Sequence, residues 1–127
     1  MTERVKLEDI KWDTSLAEIA NALLKHGTAK RAAKGISCSP VYLREKVKGE
    51  WVYFYALEDR VKIGHTADLI TRTQSFLLHT GGAGKYMLLV AGSAGDEDRI
   101  QRDLSEYRIT GEWFFLNDEV RNYMGGL

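Results

Sequence analysis

Apolar and polar residues alternate at two different periods along the chain, and the period changes near residue 50. Between Leu16 and Leu23 the apolar positions recur at the spacing of one helical face, with Ser15 placed to cap the start of the helix and Gly27 its end. After residue 50, stretches with a two-residue period alternate with helical segments. The pattern predicts an α+β fold, with a helical N-terminal extension over residues 1–49 and a mixed domain over residues 50–127.

The segment TAKRAAKGISCSPVYLREKV predicts two short helices joined by a turn at Gly35, the second of them capped by Ser39. This arrangement is typical of a helix-turn-helix. Its second helix would present three side chains to DNA: Tyr42, Arg44 and Lys46. Any small packing of three helices gives the same pattern, so both interpretations stay open.

The segment WVYFYALEDRVKIG predicts an antiparallel β-hairpin whose two-residue turn places Phe54 opposite Ile63 on an apolar face. The other face is expected to be exposed and to carry Tyr53, Tyr55 and Lys62, from which Tyr55 would contact DNA. Gly64 lies opposite Tyr53 and would leave room for a ligand or a backbone to come close.

Three further elements follow the hairpin. Thr66 is placed to cap a helix over residues 66–79, which holds Arg72 at the edge of its apolar stripe. Residues 85–93 predict a third strand, and its continuous apolar run favours a central position in the sheet. The S-x-x-D sequence at the end of that strand predicts a capping box for a helix over residues 94–108.

Charge is distributed unevenly, although the formal net charge is zero. Residues 1–50 carry ten Lys and Arg against seven Asp and Glu, whereas residues 51–127 carry eight against eleven. The basic excess is densest over residues 25–48, which include Lys30, Arg31 and Lys34. Such a patch suits phosphate, although a solvated helical face would carry the same charges.

The remaining composition excludes several classes of protein. The chain of 127 residues is long enough for one compact domain with a small appendage. No apolar run approaches the ~18 residues of a membrane span, and no signal-type segment opens the chain, so we expect a cytoplasmic protein with no membrane partner. A single cysteine, Cys38, allows neither an internal disulfide nor a cysteine-rich zinc site.

Glu97 is the single residue that most needs an explanation. On the predicted helix it lies about one turn before Ile100 and close to the apolar stripe. A carboxylate that points toward a core is costly unless it is paired or binds a metal. An ion pair with Arg72 would give it a structural role, and a metal ion would give it a catalytic one.

Five short motifs, taken in order, resemble the GIY-YIG nuclease superfamily. They are W-V-Y at residues 51–53, K-I-G at residues 62–64, Arg72, Glu97, and G-E-W-F at residues 111–114. The K-I-G form is similar to the branch typified by a phage T5 open reading frame and by meiotically up-regulated gene products. The resemblance covers about residues 51–124. Trp51 replaces the first Gly of the family pattern and Lys62 replaces the Tyr of its second motif, which leaves the proton path open.

The resemblance implies a three-stranded antiparallel sheet flanked by helices, which cuts phosphodiester bonds in DNA with one divalent ion, Mg²⁺ or Mn²⁺. By motif match, Tyr53 would act as general base or orient the attacking water beside Lys62. Arg72 would grip the scissile phosphate, Glu97 would hold the metal, and His65 would donate to the phosphate or assist Tyr53. A catalytically silent DNA-binding or regulatory protein that kept the same fold is the alternative.

Overall fold

The computed structural model describes residues 12–127, and within them six α-helices and five β-strands follow one another. The helices are α1 (Trp12–His26), α2 (Ala29–Gly35), α3 (Pro40–Lys46), α4 (Leu69–Thr80), α5 (Ala94–Asp103) and α6 (Asp118–Gly125). The strands are β1 (Trp51–Leu57), β2 (Arg60–Thr66), β3 (Lys85–Ala91), β4 (Arg108–Thr110) and β5 (Trp113–Phe115). The fold class is α+β, as predicted. Residues 1–11 of the predicted N-terminal extension lie outside the described residues.

The described residues form two compact units. The helical unit consists of α1, α2 and α3 together with the stretch Asp68–Ala83, which contains α4. The strand unit consists of Glu50–Ala67 and Gly84–Leu127, which contain the five strands, α5 and α6. The first boundary, after Gly49, falls where the charge and the hydrophobic period change along the sequence. The chain then returns to the helical unit for α4.

The helix ends of the helical unit follow from short polar side chains and one glycine. Ser15 lies inside α1, which begins at Trp12, so the prediction that Ser15 caps this helix is wrong. Gly27 ends α1 in the left-handed region, with φ +84°, as predicted. Thr28 caps α2 and Ser39 caps α3, each hydroxyl accepting a backbone N–H three residues later, at 3.2 and 3.0 Å.

The turn between α2 and α3 is not made by Gly35, which is the last residue of α2. The left-handed residue is Ser37, with φ +58°. Gly35 answers a different requirement, because a Cβ at this position would run into the imidazole of His26. The glycine is therefore a site of close packing between α1 and α2.

The helix predicted over residues 66–79 starts later than expected. Thr66 is still part of β2, and Asp68 caps α4 instead, its carboxylate accepting the Thr71 backbone N–H at 3.1 Å. The hydrogen bonds at this cap lower the pKa of Asp68. At the other end, Gly81 takes a left-handed conformation and donates its N–H to the Leu77 carbonyl at 2.9 Å.

The strand unit is built on one antiparallel sheet with the strand order β3-β1-β2-β5-β4. The hairpin register is the predicted one, since Phe54 pairs with Ile63, Tyr55 with Lys62, and Tyr53 with Gly64. The expected count of three strands is wrong. Two more strands, β5 and β4, follow β2 in the sheet, and each is three residues long. The central position predicted for β3 is also wrong, because β3 is an edge strand.

One face of this sheet packs against α5 and α6. Its core contains Val52, Phe54, Val61, Ile63 and Phe114 from the strands, with Ile100, Leu104, Val120 and Met124 from the helices. Removing one such large apolar side chain from water stabilises a fold by about 1.5–3 kcal/mol. This apolar face therefore anchors α5, the helix that carries Glu97.

The opposite face of the hairpin is not exposed, contrary to the sequence prediction. Tyr53 is 1% exposed and Tyr55 is 0% exposed, and the ring of Tyr86 contacts both edge-to-face, with centroid distances of 6.2 and 5.5 Å. Five consecutive residues of β1 are buried, which marks β1 as a strand covered on both faces. Tyr55 therefore offers no surface for the DNA contact that was predicted for it.

The helix predicted over residues 94–108 is shorter than expected. Ser93 and Asp96 form the predicted capping box at its start. The helix ends at Asp103, and a 3₁₀ turn at Ser105–Tyr107 leads directly into β4. No helix among the described residues is both long and apolar enough to cross a membrane.

Candidate active site

The candidate site lies where the pairing of β2 with β5 ends. The last strand pair is Lys62 with Trp113. One residue further, the Ile63 N–H donates to the Glu112 carbonyl at 2.9 Å, and the Ile63 carbonyl accepts from the Gln101 side chain at 2.7 Å. We call residues 63–66 of β2 the open edge, because they follow the last residue of β2 that pairs with β5, while they still pair with β1 on their other side. Polar groups of α5 and of the β4–β5 turn therefore meet the backbone of β2.

At Gly64, side chains approach the backbone of the open edge closely. A Cβ at residue 64 would run into the Tyr53 hydroxyl and would lie 2.8 Å from Oε2 of Glu112. The space that was predicted for a ligand at Gly64 is thus filled by the phenol of Tyr53 itself. Glycine at this position lets a phenol and a carboxylate approach the same stretch of backbone.

Glu97 lies in the first turn of α5 and is half-buried. Withdrawal from water raises the pKa of its carboxyl, and the neighbouring Glu112 carboxylate raises it further. Smaller influences from His65 and from the Gln101 hydrogen bond lower it. The net upward shift of the pKa therefore reflects, first, the partial burial of the carboxylate and, second, the repulsion from Glu112.

His65 projects from the face of β2 opposite to Lys62 and Gly64, because successive side chains of a strand alternate. Its Nε2 lies 3.1 Å from Oε1 of Glu50, and its side chain is 18% exposed. It is also close enough to Glu97 to lower the pKa of that carboxyl. His65 is therefore a neighbour of Glu97 rather than of Tyr53.

Lys62 lies on the same face as Tyr53, as predicted. Its ammonium nitrogen is 6.0 Å from the ring centroid of Trp113, and the Arg60 guanidinium is 4.7 Å from the same centroid. Both distances are within reach of a cation–π attraction. The indole of Trp113 thus keeps two positive charges beside the open edge.

The strand unit contains four of the five predicted catalytic residues, as two groups: Tyr53 and Lys62 lie on one face of the hairpin, and His65 lies on the other face near Glu97. Arg72 is half-buried on α4 and belongs to the helical unit. Its grip on a phosphate therefore stays a prediction from the motif.

The predicted DNA-binding cations also lie in the helical unit. Lys30, Arg31 and Lys34 are exposed on α2 and Arg44 is exposed on α3, whereas Tyr42 and Lys46 are half-buried. The one acidic residue of the stretch 25–48 is Glu45, which pairs with Lys48 at 2.8 Å. That pair leaves the basic excess of α2 intact.

Sequence reasoning assigned no role to three residues of the site, Glu112, Gln101 and Glu50. Glu112 stood inside the quoted G-E-W-F motif, but no spacing rule related it to Glu97. Gln101 follows Glu97 by four residues, so helical periodicity alone places the two side chains on one face. Glu50 directly precedes the hairpin and gave no signal of its own.

In the part of the chain that the structure describes, the site has too few clustered side chains for a metal ion held entirely by protein ligands, but it has enough carboxylates for a hydrated Mg²⁺. Among the described residues no group of three or more His, Cys, Asp or Glu side chains converges at metal-binding distances. Mg²⁺, however, retains several waters and is commonly bound by one or two carboxylates. Glu97, half-buried and with Glu112 nearby, meets that smaller requirement.

No protein family model, curated protein or solved structure matches the chain.

Proposed function

We propose that the chain is a metal-dependent endonuclease that hydrolyses phosphodiester bonds in DNA through a single-metal site of the GIY-YIG type. The observation that carries the proposal is the Glu97 carboxylate, which is half-buried, carries a raised pKa and has Glu112 as an acidic neighbour. A purely structural site would pair such a charge with a cation. The closeness of two carboxylates, Glu97 and Glu112, instead favours binding of a cation from solution.

Each side chain then has a proposed chemical task. Glu97, with Glu112 beside it, would hold Mg²⁺ or Mn²⁺, which when bound supplies charge stabilisation to the phosphate. His65, held by Glu50 on the Glu97 side of β2, suits donation to the phosphate better than assistance to Tyr53. Tyr53 would orient the attacking water from the opposite face, next to the Lys62 ammonium.

Arg72 and the basic residues of α2 and α3 would act on the DNA. A guanidinium offers two parallel donors to one phosphate, a geometry that an ammonium cannot match. The cations on α2 would add affinity for the backbone without reading sequence. The cations of the helical unit would thus contribute affinity for the substrate.

A catalytically silent DNA-binding or regulatory protein is the second candidate, and the burial of Tyr53 favours it. A hydroxyl that is to orient a water needs access to that water, yet Tyr53 is 1% exposed. In this alternative Tyr53 is a core residue over Gly64, and the basic helices carry the function.

Glu97→Gln separates the two candidates. The change keeps the size of the side chain and removes its charge, so the protein should fold and bind DNA but lose cleavage of supercoiled plasmid in Mg²⁺. Asp98→Asn is the matched control, because Asp98 is 71% exposed on the same helix and makes only a 3.6 Å pair with Arg102. Asp98→Asn should cut at the wild-type rate, and EDTA should stop cleavage by both Asp98→Asn and the wild type. Cleavage by folded Glu97→Gln at the wild-type rate would refute the single-metal site, and a wild-type protein that binds but never cuts would favour the silent regulator.

A further inference from the structure

Gln101 is a buried polar residue, 9% exposed, in the last part of α5. Its Nε2 donates to the Ile63 carbonyl at 2.7 Å and to Oε1 of Glu97 at 3.0 Å. An amide nitrogen has two hydrogens, so each of these bonds uses one of them. The side chain of Gln101 therefore connects the candidate metal ligand directly to the backbone of β2.

The acceptor of the first bond explains why a side chain is needed there. In an antiparallel strand the N–H and C=O of one residue point to the same neighbour, and those of Ile63 point to the side of β5. The N–H finds the Glu112 carbonyl at 2.9 Å, but the regular pairing with β5 has already ended at Lys62. Gln101 supplies the missing donor for the carbonyl.

The remaining polar atom of Gln101 is also engaged, because Nη2 of Arg108 donates to its Oε1 at 3.4 Å. Apart from Glu97, the amide is thus held at two points, by β2 and by β4. These two contacts restrict the orientation of the amide and, through it, that of the Glu97 carboxylate.

We propose that Gln101 is a positioning residue that aims the Glu97 carboxylate at the open edge of β2, an inference that rests on the proposed function. Glu97 has three side-chain torsions, and a fixed donor four residues later on the same helix restricts them. A ligand held in one orientation by its neighbours binds a metal more tightly than a mobile one.

The neutrality of the amide matters as much as its position. A lysine or arginine at residue 101 would also hold Glu97, but it would neutralise the carboxylate and compete with a bound cation. Glutamine holds the carboxylate with a hydrogen bond and leaves its charge available. This chemistry distinguishes a positioned ligand from a structural ion pair.

The test compares Gln101→Met with Arg102→Met. Methionine keeps the volume of glutamine but donates no hydrogen bond, and Arg102 is 73% exposed on the same helix. In Gln101→Met we expect the affinity for Mn²⁺, measured without DNA, to fall by about 10- to 100-fold. At saturating DNA the cleavage rate should fall with it, while the KM for DNA stays constant. Arg102→Met should match the wild type in all three measurements.

Two further measurements keep the proposal open to refutation. If Gln101 serves only the Ile63 carbonyl, Gln101→Met will melt at a lower temperature but bind Mn²⁺ like the wild type, and that result would overturn the inference. If Gln101→Met does not fold, Gln101→Lys still offers donors to both oxygens, and it should fold and yet bind Mn²⁺ more weakly. Unchanged Mn²⁺ affinity in a folded Gln101→Lys protein would also overturn the inference.

The failure of the proposed function has a different signature. A wild-type protein that neither binds Mn²⁺ nor cuts DNA would refute the metal site itself. The positioning role is then tested by the carboxyl carbon NMR signal of Glu97 in the metal-free protein. That signal should shift in Gln101→Met and not in Arg102→Met, and an equal signal in both would refute the positioning role as well.

Discussion

Replacing Gly64 by alanine tests the geometry of the open edge without any assumption about function. The new Cβ would overlap the Tyr53 hydroxyl and lie 2.8 Å from Oε2 of Glu112. The Glu112 carboxylate ends a flexible side chain and can move, but Tyr53 does not yield easily, because it is 1% exposed and its ring is held edge-to-face by the buried Tyr86. One methyl group therefore forces a rearrangement of the hairpin where Tyr53 and Glu112 meet.

The magnitude follows from two opposing effects. Inserting a methyl group into a well-packed interior typically costs about 1–3 kcal/mol of stability. Alanine in place of glycine also restricts the unfolded chain, which returns about 0.4–1 kcal/mol. The expected net loss in the free energy of unfolding is about 1–2 kcal/mol. For a chain of this length that loss corresponds to a melting temperature lower by about 4–8 °C.

The assay is thermal unfolding followed by circular dichroism, with Gly95→Ala as the matched control. Gly95 lies in the first turn of α5, and a Cβ there would meet only the Ser93 hydroxyl, at an ordinary 3.5 Å. The same substitution should therefore leave stability unchanged or raise it by up to about 1 kcal/mol. If Gly64→Ala melts at or above the wild-type temperature, Tyr53 does not lie over Gly64 and the described site is wrong.

Two further predictions concern charge. Replacing Lys30, Arg31 and Lys34 together by alanine should weaken DNA binding and reduce the slope of log affinity against log salt by up to about three phosphate contacts' worth, whereas an unchanged slope would mean that α2 carries only a solvated face. Because the folded state raises the pKa of Glu97, ionisation of this carboxyl should reduce the stability of the wild-type protein in EDTA as the pH rises from the ordinary glutamate value through the raised one. Glu97→Gln should escape that loss, so the difference in melting temperature between Glu97→Gln and the wild type should be more favourable to the variant at pH 7 than at pH 4. If Glu97→Gln instead lowers the free energy of unfolding by about 3–5 kcal/mol at pH 7, Glu97 is the partner of Arg72 in a buried ion pair.

The hairpin register was predictable from sequence because it depends on local chemistry. A two-residue turn between strands of strict alternation fixes every cross-strand pair, and Glu58 adopts the positive φ of 58° that such a turn uses. The capping box at Ser93 and the glycine end of α1 follow from equally local rules. These features need only a few neighbouring residues, so one sequence contains them in full.

Exposure was not predictable, because it depends on what lies beyond the element itself. Alternation told the two faces of the hairpin apart, but tyrosine suits both a wet and a buried face. The strands β4 and β5 were missed because three residues are too few to display a period. Glu112 and Gln101 were missed for a related reason, since their partners lie across the sheet and at the end of a strand pair.

The negative charge of Glu97 is unfavourable for the fold. Its raised pKa means that the folded chain takes up a proton at this carboxyl more readily than the unfolded chain does, so the negative charge of Glu97 lowers the stability of the folded state. A residue that served the fold alone would serve it better as glutamine, which could keep the hydrogen bond to Gln101 without the charge. Contacts with Ile63 and Arg108 nevertheless hold Gln101, and that residue donates to Glu97 beside a second carboxylate. An ordered surrounding that maintains an unfavourable charge is consistent with the proposal that a cation completes the site.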